Sequence, residues 1–401
     1  MPRIIMHLDM NSYFASVEQQ ANPFLRGRSV GVCSYLSPGG CIIASSAEAK
    51  MRGIKTGCRA DRAKELDPGI VLVENEPAKY RSTTEKIFAI LGSYSGTIEP
   101  YSIDEAFIDL TGWVSDFSRA ASLAYEMQSR IKDEVGEWLN CSIGISWTKF
   151  LAKFAGDIAP KKGILTIDSN AKLVEVLRDR PLCDAWGINV RTEARLNMLG
   201  IKDLLDLKNY RQDKIKHVMG RCGQYLWFNV NGIEISQVSE GSFVPKSIGH
   251  SYCLPKKTTN KSYLSQALYK LCEKTGRRLR GNHLEASSIH VGWSYIREGG
   301  YFRSFKTKDK LFTTEEIFRH ANHVLEDTAL IMPVRMLAVS VSNLSAVSGQ
   351  LSLFENNLSK RDLSLAIDKL NDKFGEYTVV CGQMFGTRDM ARDRIGFRKI
   401  G

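Results

Sequence analysis

Three acidic residues stand where chemistry is possible. Residues 4–8 read as a short buried strand that ends on Asp9, and residues 97–110 read as a strand-turn-strand that carries Asp104 and Glu105. Carboxylates at strand ends or in a tight turn are what a hard divalent cation requires: oxygen ligands on rigid elements, with positions left for water and phosphate oxygens. Taken singly each signal is weak, since Asp9 alone reads more readily as a helix cap or turn residue. The run Ile103-Asp104-Glu105-Ala106-Phe107-Ile108 is more telling. It sets two adjacent charges at the start of an apolar strand, where they are costly unless a cation neutralises them.

The elements that must position these groups alternate strand and amphipathic helix, an α/β (α+β) pattern. An amphipathic helical stretch follows Asp9 through Tyr13, Phe14, Val17 and Glu18. Residues 29–74 look like a small lobe with β-runs at 29–33 and 70–73, a Pro38-Gly39-Gly40 turn and a helix around 44–51. Leu123, Met127, Ile131, Val135 and Trp138 repeat near helical spacing over 119–139, and 141–146 is a further strand. From 166 to 235 the pattern is helical, with turns at Gly187-Ile188-Asn189 and Leu199-Gly200-Ile201. That spacing suits a helix-hairpin-helix whose backbone amides hold a phosphate without reading sequence, or simply a pair of glycine-capped helices. Residues 236–246 read as a linker. Residues 247–345 then run β, helix, β, β, helix, β, the order of a ferredoxin-like split unit, with a capping box at Thr313 and Glu316.

At 401 residues the chain is long enough for several folded units, and 43% apolar with 25% charged residues excludes a disordered or collagenous chain. Nine cysteines without a CxxC pair argue against a disulfide framework or a zinc site. No apolar run reaches the ~18 to 20 residues a bilayer span needs, and the first nine residues are too short for a signal peptide, so no membrane association and a cytoplasmic location are expected. The net charge of +11 is uneven: residues 1–235 carry 30 Lys and Arg against 28 Asp and Glu, residues 236–401 carry 25 against 16. A basic C-terminal part beside a near-neutral N-terminal part suggests a polyanion gripped by one and worked on by the other. Arg277, Arg278 and Arg280 end one helix of the basic block, and Lys306, Lys308 and Lys310 fall at period two on its third strand. Like charges at that spacing repel, which favours an anion.

The segments from Asp9-Met10-Asn11-Ser12-Tyr13-Phe14 to Glu18 and from Tyr101-Ser102-Ile103-Asp104-Glu105 to Phe107 resemble the two signatures of the Y-family, or translesion, DNA polymerases. The resemblance covers nearly the whole chain. Residues 47–50, 149–153 and 185–188 and the tail are more similar to the bacterial UmuC-type branch than to the DinB-type branch. It implies a right hand with a ferredoxin-like palm (1–10 and 75–165), small fingers (11–74), a helical thumb (166–235) and a βαββαβ little finger (247–345). It also implies a DNA-directed DNA polymerase acting opposite damaged template without proofreading, in DNA repair and the SOS response, on primer-template DNA and dNTP in the nucleoid.

By the same resemblance, Asp9, Asp104 and Glu105 hold two Mg²⁺, joined by the Met10 carbonyl oxygen. Phe14 is the steric gate against a ribose 2′-hydroxyl, with Tyr13 beside the sugar. The chain departs from the DinB pattern in the phosphate-binding positions, where Ala47, Lys50 and Pro160-Lys161-Lys162 stand. Lys50 and Lys161 are the candidates for the triphosphate, as point charges. Gly187 and Asn189 are candidates for DNA backbone contact, Asn189 standing where the family commonly has Gly and tolerating a left-handed backbone. Gln350-Leu351-Ser352-Leu353-Phe354, at the start of the tail 346–401, matches the short peptide that docks on the bacterial sliding clamp; two apolar residues after a strand could instead fold back. The UmuC likeness adds a UmuD-like accessory subunit as a partner. Two rivals remain open: a catalytically silent DNA- or clamp-binding homologue, and another palm-fold enzyme such as a nucleotide cyclase.

Overall fold

The computed structural model describes residues 3–36, 40–240, 245–347 and 357–392. It forms two compact units, Met1–Ser242 and Phe243–Arg394. The Pro38-Gly39 part of the expected turn and the 350–354 peptide lie outside the described residues.

The first unit is built on β1 (Ile5–Met10). Along this strand Met6, Leu8 and Met10 face one core and Ile5 and His7 the other, as period-two alternation requires. α1 (Tyr13–Ala21) follows, then β2 (Val30–Cys33), β3 (Ile42–Ser45), α2 (Ala47–Met51), α3 (Ala60–Leu66) and β4 (Val71–Glu74). β3-β2-β4 form the small lobe's own sheet around Ile42, Ile54 and Ile70. The helix expected from residue 44 starts at 47, because β3 runs to Ser45 and Ser46 caps α2 by accepting from the Ala49 amide. α1 bridges the lobe and the central sheet: Tyr13, Phe14, Ala15 and Val17 share a cluster with β1 and α4 (Pro77–Gly92) and with Val32 of β2 and Ile43 and Ala44 of β3.

β5 (Ile98–Pro100), β6 (Glu105–Asp109), α5 (Phe117–Arg130), β7 (Cys141–Ser146), α6 (Lys149–Ile158) and β8 (Ile164–Thr166) complete the central sheet, of order β5-β6-β1-β7-β8. α4 and α5 bury Ile87, Leu91, Ala124 and Met127 against one face. The helical spacing expected to reach Trp138 gives way after Arg130 to one π turn, Ile131–Val135. Trp138 leaves the helix, and its indole N–H donates to Gln19 Oε1 at 3.0 Å. On the other face α6 lies so close to β7 that a Cβ on Gly144 would come 2.0 Å from the Ala152 carbonyl oxygen. The segment expected as a linker begins docked on this side. Val238 packs with Ile5, Phe107 and Ala152, and the Ser239 amide donates to Glu99 Oε2 at 3.1 Å.

The helical part comprises α7 (Asn170–Leu177), α8 (Val190–Asn197), α9 (Leu204–Asn209) and α10 (Gln212–Val230), around Leu173, Leu182, Leu196 and Leu204. Helix α10 is broken at Gly220.

The second unit runs β9 (Ser247–Thr258), α11 (Lys261–Gly281), β10 (Leu284–Tyr295), β11 (Gly300–Leu311), α12 (Thr314–Asp327) and β12 (Val334–Ala346), the expected order. Its antiparallel sheet, β11-β10-β12-β9, packs on both helices, and the Thr313–Glu316 capping box is present. A further helix, α13 (Asn357–Phe374), lies on the end of α11.

Candidate active site

The three acidic residues stand side by side at one end of the central sheet because β1 and β6 are antiparallel neighbours. Asp9 pairs with Glu105, and the Met10 amide donates to the Asp104 carbonyl oxygen at 3.0 Å. Their proximity is visible electrostatically. Burial, and then the charges of Glu105 and Asp104, push Asp9 up to about 8, and burial likewise raises Asp104. Burial would raise Glu105 too, but the bonds and charges of His7 and Lys153 pull it down to about 2.

Hard oxygens from Asp9, Asp104, Glu105 and the Met10 carbonyl are the chemistry a divalent cation takes, and an acidic cluster in which one member is forced toward protonation is one that a cation relieves. Among the described residues no group of three or more His, Cys, Asp or Glu side chains already converges on a metal position. Each of two carboxylates is turned to a neighbour: the Ser102 hydroxyl donates to Asp104 Oδ1, and Lys153 Nζ donates to Glu105 Oε2 at 3.0 Å, with His7 Nε2 3.4 Å from the same oxygen. The residues fit a divalent cation by type and place.

The turn from β1 into α1 carries the next layer. Ser12 takes a left-handed backbone (φ 52°), which a non-glycine residue adopts only where its surroundings fix it. Its hydroxyl accepts from Lys50 Nζ at 2.8 Å. Burial, then the facing charge of Lys161, holds Lys50 below the usual lysine range, while Asp9 and Asp104 act the other way. Lys50 and Lys161 thus lie close enough to feel each other's charge, and Lys50 feels that of Asp9 and Asp104. Asn11 ties in the loop that carries Lys161, since its Oδ1 accepts from the Lys162 amide at 3.0 Å.

Phe14 is buried with its ring stacked on Tyr80, centroids 4.5 Å apart. The Tyr13 ring does not reach out toward a sugar. It is 3% exposed, its hydroxyl donates to the Tyr80 carbonyl oxygen at 2.9 Å and lies 2.8 Å from the Thr84 hydroxyl, which donates to the Ile103 carbonyl oxygen at 2.6 Å. Sequence reasoning missed this chain, which fixes the backbone just before Asp104. It also missed Glu18, which accepts from the Tyr80 hydroxyl at 2.7 Å and from Lys79 at 2.9 Å and so locks α1 to α4. Lys153 and His7 were missed as well. The signal for Lys153 was its place one turn after Lys149 on α6; Lys149 itself bonds Glu99 at 2.6 Å.

The expected DNA contacts fare unevenly. Gly187 has φ +94°, while Asn189 is extended and caps α8, accepting from the Thr192 amide at 2.9 Å. The left-handed turn residue is Gly187, not Asn189. Arg280 is not on a DNA-facing surface: at 4% exposure it donates to Asp368 at 2.6 and 2.9 Å and to the Phe312 carbonyl oxygen at 3.1 Å. Arg277 pairs with Asp372 and with Glu376 at 3.7 Å. The tail's acidic side chains thus cover two of the three arginines, and Arg278 alone of them is exposed. Lys306, Lys308 and Lys310 are exposed but do not share a regular strand face, because Ser288 pairs with Lys306 and Ala286 with Leu311, bulging the strand between. Lys310 turns back to Ser345 at 2.8 Å.

Known proteins resemble this chain along most of its length. Residues 8–157 match the impB/mucB/samB family, and residues 245–353 match the impB/mucB/samB family C-terminal domain. DNA polymerase IV 1 of Bacillus subtilis (strain 168) is 32% identical over 404 residues, covering 99% of this chain and 97% of that protein. DNA polymerase IV of Oceanobacillus iheyensis is 31% identical over 384 residues, 94% and 91% of the two chains. Among solved structures, a Y-family DNA polymerase chimera, Dbh-Dpo4(243-245)-Dbh, superposes with TM-score 0.77 at 23% identity, covering 86% of this chain and all of that one. The expected UmuC-type branch is not supported, since these relatives are named DNA polymerase IV, the DinB type. The UmuD-like subunit, expected only through that branch, loses its basis. No helix among the described residues is long and apolar enough to cross a membrane. With both halves of the chain matched in order and the acidic residues gathered on adjacent strands of the sheet that the first match covers, the chain belongs to the impB/mucB/samB family, the Y-family DNA polymerases.

Proposed function

We propose that this chain extends a primer 3′-hydroxyl at the β1–β6 edge, with Asp9, Asp104, Glu105 and the Met10 carbonyl holding two Mg²⁺. The chain is a DNA-directed DNA polymerase of the translesion type. The observation that carries the site reading is the pairing of Asp9 with Glu105 and of Met10 with Asp104, which gathers three carboxylates at one strand edge. Bound divalent ions at such a site supply activation of the attacking hydroxyl and neutralisation of the departing pyrophosphate.

The chain's own residues do the remainder. Lys50 and Lys161 receive the β and γ phosphates as point charges, and their mutual repulsion at a shared position is what a bound polyanion relieves. Phe14, fixed against Tyr80, presents a rigid ring to the sugar and excludes a 2′-hydroxyl. Residues 166–235 and 247–345 act as thumb and little finger; Gly187, Arg278, Lys306 and Lys308 are the candidates for phosphate contacts there. Gln350 to Phe354 dock on the sliding clamp, Leu353 and Phe354 filling an apolar pocket, in a cytoplasmic, nucleoid setting.

Primer extension with Mg²⁺ tests this reading. The parent chain adds deoxynucleotides across a damaged template base and Asp104→Asn does not, while both bind primer-template alike. Extension by neither, with DNA binding intact, would instead support a silent DNA-binding homologue.

A further inference from the structure

We propose that Lys153 is a cationic placeholder for the metal ions: its ammonium holds Glu105 while the site is empty and passes to Asp157 when a divalent cation takes the carboxylate. This rests on the metal-binding reading of Asp9, Asp104 and Glu105. Lys153 rises from the middle of α6 with its side chain 10% exposed, an unusual place for a lysine unless it is paired. It has two acceptors, Glu105 Oε2 at 3.0 Å and Asp157 Oδ1 at 3.5 Å, the second one turn along the same helix. The Tyr101 ring lies 5.9 Å from Nζ. The nearer acceptor is a member of the acidic trio and the farther one is not, so a short swing moves the positive charge out of the cluster without leaving it unpaired.

The arrangement also accounts for the orientation of Glu105. His7, fully buried on the neighbouring strand, contacts the same Oε2 at 3.4 Å. Both partners thus engage one oxygen of Glu105, leaving the other as the ligand atom that a cation meets first. With Glu105 as a ligand, a bound divalent cation would set its double positive charge against the Lys153 ammonium, and Lys153 would then favour its bond to Asp157.

The test is Mn²⁺ binding to the full chain without nucleotide or DNA, read by the loss of the free-ion electron paramagnetic resonance signal. The parent binds Mn²⁺ and Asp104→Asn binds it weakly; absence of that difference means that the trio is not the metal site, and the reading beneath this proposal fails. Given that difference, Lys153→Gln removes the competing charge and tightens Mn²⁺ binding by roughly tenfold, about 1.4 kcal/mol. Lys153→Arg, which keeps the charge and fastens Glu105 by a fork, restores or weakens the parent affinity. Asp157→Asn weakens Mn²⁺ binding in the parent and has no effect in the Lys153→Gln background, because the fallback acceptor then has nothing to receive; independent charge effects would add. Lys153→Met serves if the glutamine variant unfolds. Unchanged or weaker Mn²⁺ binding in the folded glutamine or methionine variant, or additivity with Asp157→Asn, overturns the placeholder.

Discussion

Asp9 and Glu105 face each other across one pair of strands and are driven in opposite directions, one up to about 8 and the other down to about 2. The difference lies in their company: Glu105 has Lys153 and His7, while Asp9 has burial and two other carboxylates. In metal-free protein, Asp9 contributes stability that is present below its unfolded value near 3.8 and is lost as pH rises through about 8. Thermal unfolding in a chelator therefore shows Asp9→Asn gaining stability over the parent between pH 5 and pH 8.5, with little difference at pH 4; an equal effect at all three would contradict it. Phe14→Ala, which removes the ring held by Tyr80, raises ribonucleotide incorporation by roughly tenfold or more, on the scale of a single pocket contact (about 1.4 kcal/mol). Asp9, Asp104 and Glu105 stood out in the sequence by type and by their place at strand ends, whereas Phe14, Lys50 and Lys161 were singled out only through the family resemblance. The roles of Thr84 and Lys153 were not legible, since what makes them matter is a partner 19 or 48 residues away along the chain that only folding brings near.

Helix α6 is the element on which the site leans. It carries Lys149 to Glu99 and Lys153 to Glu105, and it reaches the sheet only because Gly144 and Gly156 leave no side chains between them. Gly144→Ala sets a methyl where the Ala152 carbonyl stands, so α6 must lift, at a cost of about 1–3 kcal/mol in chemical denaturation. Strand and helix order was read correctly for the βαββαβ unit, since period-two and helical patterns are local; in the central sheet the three-residue β8 and the helix α4 went unread. The short helix α2 was drawn too early because residues 42–45 pair with β2, a partner that propensity does not see. The three lysines of β11 read as one face only for a regular strand, and a bulge against β10 removes that regularity.

At the scale of the molecule, the positive charge of the second half is partly spent internally. The tail helix α13 sets Asp368 and Asp372 on Arg280 and Arg277, so counting arginines overstated the surface offered to DNA. Arg280→Ala leaves Asp368 without its fork in a largely buried place and lowers stability by about 3 kcal/mol in thermal unfolding, with little change in DNA affinity. Lys306→Ala and Lys308→Ala act the other way, each making the dependence of log DNA affinity on log salt shallower by about 0.9 if it meets a phosphate, with no loss of stability. The central claim is that Asp9, Asp104 and Glu105 form the metal site of a template-directed polymerase. It is tested most directly by single-nucleotide extension of a primer on a defined damaged template in Mg²⁺, parent against Asp104→Asn at equal DNA occupancy. The expected result is addition by the parent and loss of at least a hundredfold in the variant; extension at parental rate by Asp104→Asn would contradict it.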